Sequence, residues 1–398
     1  MKKRLARMII VAVALGLGLG LWAAVPSLSA LGLIVRVAKH DGVLARLARL
    51  AAKPVEREPV RTIPTRHGPM EAQLYRPPGP TRRTTILVPG IHMDGVREER
   101  LVGLAYELAA TGLRVLTVGP TDLMHYRLSP SSTDQLEDAI AWAAAQPELS
   151  PDGRVDIMAF SFSGGLAVVA AGRESVRHHV AAVLSFGGQG NLASVLRYLC
   201  EGASAPIPPD AAQLATGGDH IHIPKPHDYG AVVALLNLAP RMVPAEQVAS
   251  FQEAVTTFLR ASSIDRLDQA AALLVFAQAR RMGQALSEPS RTLMGYVSDR
   301  DVARLGRAIS PMLPTVELPA ALSPARSPLP TAPVFLLHGA DDSVVPATEM
   351  LDLARLLKGK TEVRALASEL ITHAETTKAT ALTEMGRLAG FWRDLLRR

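Results

Sequence analysis

Apolar and polar positions along the chain fall into three regimes. From Met8 to Val25 no residue is charged. Coiled as a helix, this run would be about 27 Å long at roughly 1.5 Å per residue, close to the hydrocarbon thickness of a bilayer. From about residue 60, short apolar runs alternate with helical patterns. "EAQLYRP" (71–77), "TTILVPG" (84–90), "LRVLTVG" (113–119), "VDIMAF" (155–160) and "VAAVLSFGG" (180–188) read as strands. Helices are predicted around 98–110, ending at Thr111-Gly112, and around 134–145, with Ser132 or Thr133 as N-cap. The alternation returns in "APVFLLHG" (332–339), a helix around Thr348 to Leu357, "EVRALAS" (362–368) and a last helix from about Thr376 to Leu396. Such a pattern predicts an α/β fold, a doubly wound, mostly parallel sheet with helices on both faces.

Between these two blocks the alternation stops. "PAEQVASFQEAVTTFLRA" and "DRLDQAAALLVFAQARRMGQAL" are helical in period, and no strand pattern stands out. An inserted helical cap is expected over 191–330, with the proline-rich "ISPMLPTVELPAALSPARSPLP" as an extended connector back to the sheet. The expected organisation is therefore a membrane anchor or signal sequence at 1–35, a basic amphipathic linker at 36–59, a core in two parts at 60–190 and 331–398, and the cap between them.

Composition narrows the class. The 398 residues, 48% hydrophobic, suffice for one large domain with an insertion or for two domains. The single cysteine, Cys200, excludes an internal disulfide and a multi-cysteine zinc site, and reads as a packing residue. Net charge is +6, concentrated in "MKKRLAR", between Arg36 and Arg57, and in "RDLLRR". That placement suits a membrane surface better than a nucleic-acid groove, and 4% aromatic content leaves little for base stacking. Lys2, Lys3, Arg4 and Arg7 ahead of the apolar run predict an uncleaved single-pass anchor with the bulk of the chain outside the cytoplasmic membrane; cleavage near Ser27 and Ser29, giving a secreted protein, is the alternative. Arg36, Lys39, Arg46 and Arg49 on the far flank weaken the charge bias. In "HDGVLARLARLAAK", Val43, Leu44, Leu47 and Leu50 share one helical face, which could meet lipid headgroups or pack on the core.

Three stretches carry candidate chemistry. "VDIMAFSFSGGLA" runs a strand through a sharp turn into a helix and offers Ser161 and Ser163, each a potential nucleophile or an ordinary loop or N-cap serine. "FLLHGADDSVVP" ends a buried strand with Asp341 and Asp342, on the rim where parallel sheets meet ligands. "ELITHAETT" places His373 after the last strand. Serine, acid, then histidine is an order in which one sheet edge receives a catalytic triad. Other polar residues are discounted. His220, His222 and His227, near Asp219 and Asp228, lack the partners for a metal site, and His92, Asp94, His125 and Tyr126 read as loop residues. Neither a metal nor a cofactor is expected.

In "LVPGIH", "AFSFSGG", "LHGADDSVVP" and "THA", taken in this order over about residues 60–398, the chain resembles the α/β-hydrolase superfamily, as a serine esterase or lipase with a helical cap. The resemblance implies Ser161 as nucleophile, with Ala159 and Ser163 as small flanks in place of the usual glycines. It implies Asp342 as the acid, with Asp341 as runner-up, and His373 as the base. The oxyanion hole would fall at the N–H groups of Ile91 and Phe162, although Pro89 stands where many relatives have histidine. Asn191 occupies a place where some relatives carry an acid, a role an amide cannot fill. The implied function is hydrolysis of an ester or other acyl substrate, with a hydrophobic one expected, through an acyl-enzyme. A peptidase or acyltransferase would use the same triad, and an aminopeptidase would add a cap carboxylate to hold the substrate amine, the cap offering Glu201, Asp210, Glu246 and Glu253. A non-catalytic, membrane-tethered binding domain would keep the fold without the reaction.

Overall fold

The computed structural model describes residues 25–38, 42–265, 267–371 and 382–398. Among the described residues nine strands form one sheet: β1 (Glu56–Arg57), β2 (Arg61–Ile63), β3 (Met70–Arg76), β4 (Thr84–Val88), β5 (Arg114–Gly119), β6 (Val155–Phe160), β7 (Val180–Phe186), β8 (Val334–Gly339) and β9 (Val363–Ser368). Their order is β1-β3-β5-β4-β6-β7-β8-β9, with β2 also on β3. β3 is antiparallel to β1, β2 and β5, whereas β5 through β9 run parallel. From β4 the chain winds one way to β5 and the other way through β6 to β9. The topological switch point therefore lies between the carboxyl ends of β4 and β6, where open α/β sheets bind ligands.

Register explains the two-sided core. Leu74, Leu116, Ile86, Ile157, Val183, Val334 and Val363 pair in a single row across the sheet. Apolar strands buried on both faces demand cover on both faces. One cover holds α5 (Pro130–Ala144), α6 (Phe162–Gly172) and α14 (Thr348–Leu357). The other holds α1 (residues 25–37), α3 (Glu99–Ala110) and α15 (Leu382–Leu396). Between α1 and α3 comes the short α2 (Val43–Leu50), and Thr121–Met124 forms the single-turn α4.

The insertion after β7 is helical: α7 (Leu192–Glu201), α8 (Ala211–Leu214), α9 (Asp228–Met242), α10 (Val248–Ile264), α11 (Gln269–Ala285), α12 (Ser290–Ser298) and α13 (Val302–Ile309). Among the described residues its only strand-like pairing is a single bridge from Thr216 to Leu366. It has an apolar core of its own, built on Phe251, Phe258, Leu235 and Met294. Cys200 belongs to that core, and burial pushes its thiol up to about 12, so it is a packing residue without thiolate chemistry.

Several expectations are corrected. The membrane-anchor helix finds no support: among the described residues no helix is long and apolar enough to cross a membrane, and residues 1–24 lie outside them. The end of the expected anchor instead packs on the sheet, with Ala30, Leu33 and Ile34 buried among Tyr75, Leu87 and Leu108. α5 starts at Pro130, capped by Ser129 rather than by Ser132 or Thr133, because proline suits the first helical turn and both later residues are buried. The proline-rich connector is not extended. It folds into 3-10 turns at Ser310–Thr315, Ala320–Leu322 and Pro324–Arg326, which keep it short of donors yet compact. This return strand is stitched to the insertion's start: Leu192 N–H donates to Ser323 Oγ at 3.0 Å and Ala325 N–H to the Gly190 carbonyl at 3.0 Å.

Candidate active site

Ser161 stands between β6 and α6 with φ 55° and ψ −138°. A serine side chain rarely adopts positive φ, and such a conformation costs roughly 1–3 kcal/mol, so surrounding structure must impose it. Two features do. The Ser161 N–H donates to the Phe186 carbonyl on β7 at 2.7 Å, fixing the turn to the neighbouring strand. Helix α6 then comes down tightly on the sheet, since a Cβ at Gly164 would lie 2.5 Å from Ser185 Oγ and 2.9 Å from Gly188 Cα. Phe162 opens α6, so its N–H belongs to the first turn, which has no intrahelical acceptors and carries the positive end of the helix dipole.

The loop after β4 lies against this turn. A Cβ at Gly90 would be 3.2 Å from Ser161 Cβ, so any larger residue there would have to push the two apart by a few tenths of an ångström. Ser163 is fully buried and its hydroxyl donates to the Pro89 carbonyl at 2.5 Å. The two serines thus have different surroundings: Ser161 caps the strained turn, and Ser163 ties the Pro89–Ile91 loop to α6. Ile91 follows directly, its carbonyl accepting from the Tyr229 hydroxyl of α9 at 2.9 Å.

The acid loop follows β8. Asp342 is 1% exposed, whereas its neighbour Asp341 is exposed. Asp342 Oδ1 accepts from the N–H groups of Val344 at 2.8 Å and Val345 at 3.0 Å, and Oδ2 lies 3.6 Å from His338 Nε2. That ring is itself buried and sits 2.8 Å from the Val345 carbonyl. β6 and β8 are separated only by β7, so their tips stand about two strand spacings, roughly 10 Å, apart. An imidazole with its hydrogen bonds can bridge such a gap. His373 lies outside the described residues, which break off at Ile371, three positions beyond β9, and resume at Leu382. β9 runs parallel to β8, with Ser368 beside Gly339, and so delivers the chain to the same edge.

The discounted groups have structural roles. The "DHIHIPKPH" segment runs along the acid loop, His222 N–H donating to the Ala340 carbonyl and His227 N–H to the Ser343 carbonyl, both at 2.9 Å. Among the described residues no group of three potential metal ligands gathers there or elsewhere. Asn191 caps α7 through Ala193 N–H, Glu201 accepts from Ser310, and Asp210 meets Arg355.

Four residues escaped sequence reasoning: His338, Tyr229, Asn237 and Glu349. Tyr126, set aside as a loop residue, has φ 58° and is 1% exposed. Its ring meets Tyr229 edge-on at 6.5 Å, and its hydroxyl lies 3.1 Å from Ser263 Oγ of α10. Burial pushes the Tyr126 phenol up to about 12, so it is neutral. Asn237 of α9 donates to the Tyr126 carbonyl at 2.9 Å and accepts from Leu128 N–H at 2.8 Å. No local sequence signal marks this cluster, since Tyr126, Tyr229 and Asn237 come together from separate parts of the chain.

No family model and no curated protein sequence matches the chain. Among solved structures it is similar to an esterase from Pyrobaculum calidifontis, at 16% identity over 88% of this chain and 89% of that one, TM-score 0.41. It is also similar to brefeldin A esterase, a bacterial homologue of human hormone sensitive lipase, at 14% identity over 94% and 86%, TM-score 0.46. An acylaminoacyl peptidase from Pyrococcus horikoshii matches at 11% over 90% of this chain and 44% of that one, TM-score 0.43. The fold is a doubly wound α/β one, with a mixed sheet, an antiparallel edge and a strand–turn–helix elbow at its switch point.

Proposed function

We propose that the protein is a serine hydrolase that cleaves an ester, preferentially of a hydrophobic acyl group, through an acyl-enzyme. The observation that carries this reading is Ser161, held at positive φ on the switch point with the Gly90 loop against its side chain. His373 takes the proton from Ser161 Oγ as that oxygen adds to the acyl carbon. The N–H groups of Ile91 and Phe162 receive the oxyanion. His373 then protonates the leaving alcohol, and a water repeats the two steps to release the acid. Asp342 holds the imidazole in the productive tautomer and stabilises its charged form.

The test is labelling by a fluorophosphonate probe, which reacts with an activated serine. Wild type labels and Ser161→Ala does not; folded wild type that stays unlabelled overturns the reading. The same reading places the enzyme at the outer side of the cytoplasmic membrane, a placement supported by the charge order of residues 1–25. N-terminal sequencing of the mature protein tests it, a start near residue 30 pointing to secretion instead.

A further inference from the structure

Helices α1 and α2 take no part in the catalytic edge, yet their outer side is unusually apolar. Of the exposed large hydrophobic side chains among the described residues, seven lie between Val25 and Leu50 and six in all the rest. On α2, Ala45 and Ala48 turn inward against Val35. At roughly 100° per residue, Val43, Leu47 and Leu50 fall within an arc of about 60° on the opposite side. They are 72%, 56% and 83% exposed. On α1, Leu28, Leu31 and Val35 share one side; Val35 is buried in the cluster with Ala45 and Ala48, while Leu28 and Leu31 stay 61% and 37% exposed. The Arg36 guanidinium fixes the pair, bonding the Ala48 carbonyl at 3.1 Å and Glu107 of α3. Patches of this kind on a soluble surface mark an interaction site.

We infer that this face rests on an anionic lipid surface, with α2 lying in the headgroup plane. Charge selects that occupant. Residues 1–55 carry nine lysines and arginines and a single acid, Asp41. Arg46 and Arg49 are exposed beside the leucines, the arrangement of an interfacial helix on anionic lipid. A second copy docked on the same face would set these cations against their own equivalents across a twofold axis. The uncharged run that begins at Met8 continues into this face at Val25, so the chain reaches it from a segment whose composition favours apolar surroundings.

The test uses the full chain with Leu47→Cys carrying an environment-sensitive fluorophore, Cys200 being buried, and Glu174→Cys, whose native side chain is 90% exposed, as control. Phosphatidylcholine vesicles containing phosphatidylglycerol should shift the emission at position 47 to the blue and leave position 174 unchanged. Arg46→Gln/Arg49→Gln should bind these vesicles roughly tenfold more weakly. A probe at 47 that still reports water on vesicle-bound protein overturns the inference, as does equal binding to pure phosphatidylcholine. A blue shift without vesicles also overturns it, in favour of a second copy if it grows with protein concentration, or of residues 1–24 if it persists on dilution. None of these readouts depends on catalysis.

Discussion

The loop from Pro89 to Met93 is gripped from two sides by opposite means. On the sheet side the grip is small and close, through Gly90 against Ser161 and the Ser163 hydroxyl on the Pro89 carbonyl. On the cap side it is large and reaching, through the Tyr229 hydroxyl on the Ile91 carbonyl and the packing of Ile91 and Met93 on the insertion's apolar core. The sheet side sets where the loop lies. The cap side sets how its peptide groups are turned, and it ties that orientation to α9 and α10. A side chain at Gly90 would press on Ser161 itself, whereas a phenol can lose its hydroxyl and leave the packing intact.

The largest expected effects lie on the sheet side. Ser161→Ala should lower turnover by at least about 10⁴-fold and abolish phosphonylation, while Ser163→Ala, keeping the proposed nucleophile, should still label, about tenfold more slowly. If labelling instead survives Ser161→Ala and vanishes in Ser163→Ala, the roles of the two serines are reversed. Asp342→Asn should lower kcat by up to about 10⁴-fold, through loss of the tautomer that presents the base. Asp341→Asn, at an exposed position, should leave kcat unchanged. Equal losses in both would remove the distinction that burial draws between them.

On the cap side the effects should be smaller and of a different kind. Tyr229→Phe keeps the edge-on ring contact with Tyr126 and removes one hydrogen bond to the Ile91 carbonyl. Deleting a direct oxyanion donor typically lowers kcat by 10²–10³-fold, so loosening the peptide beside one should lower it about tenfold with KM unchanged. A fall in thermal stability with kcat intact would reduce the tyrosine to packing.

This division also explains what the sequence made legible. Strand–turn–helix at 155–172, the apolar strands and the acid after Gly339 are local patterns, and the elements at Arg114–Gly119, Val155–Phe160 and Thr348–Leu357 form where periodicity places them. The short strands Glu56–Arg57 and Arg61–Ile63 have no such period and exist only because Met70–Arg76 offers them an edge. Tyr229 reaches Ile91 across 138 positions of chain, and nothing local marks such a contact. His338 escaped for another reason: a histidine inside an apolar strand looks like any buried residue until the loop folds Asp342 back beside it.

The smallest effect concerns the seam where cap meets sheet. Glu349 of α14 is 2% exposed and accepts from the N–H groups of Gly190 at 3.0 Å and Asn191 at 2.8 Å, where the insertion begins. Burial outweighs these bonds and pushes its carboxyl up to about 7. Because the folded-state value lies above the ordinary one, the folded protein holds this proton more tightly than the unfolded chain does. The stability it contributes is therefore full below about pH 4.5 and is lost as pH rises through about 7. Asp156 on β6, pushed up to about 6 by burial, adds a slope of the same sign, so the informative quantity is a difference. Melting temperatures of wild type and Glu349→Gln, followed from pH 4.5 to 8, should converge on different slopes, the variant losing less as pH rises. Parallel curves would mean that Glu349 ionises without strain in the fold, and that the seam, like the elbow, is held by backbone geometry rather than by a buried proton.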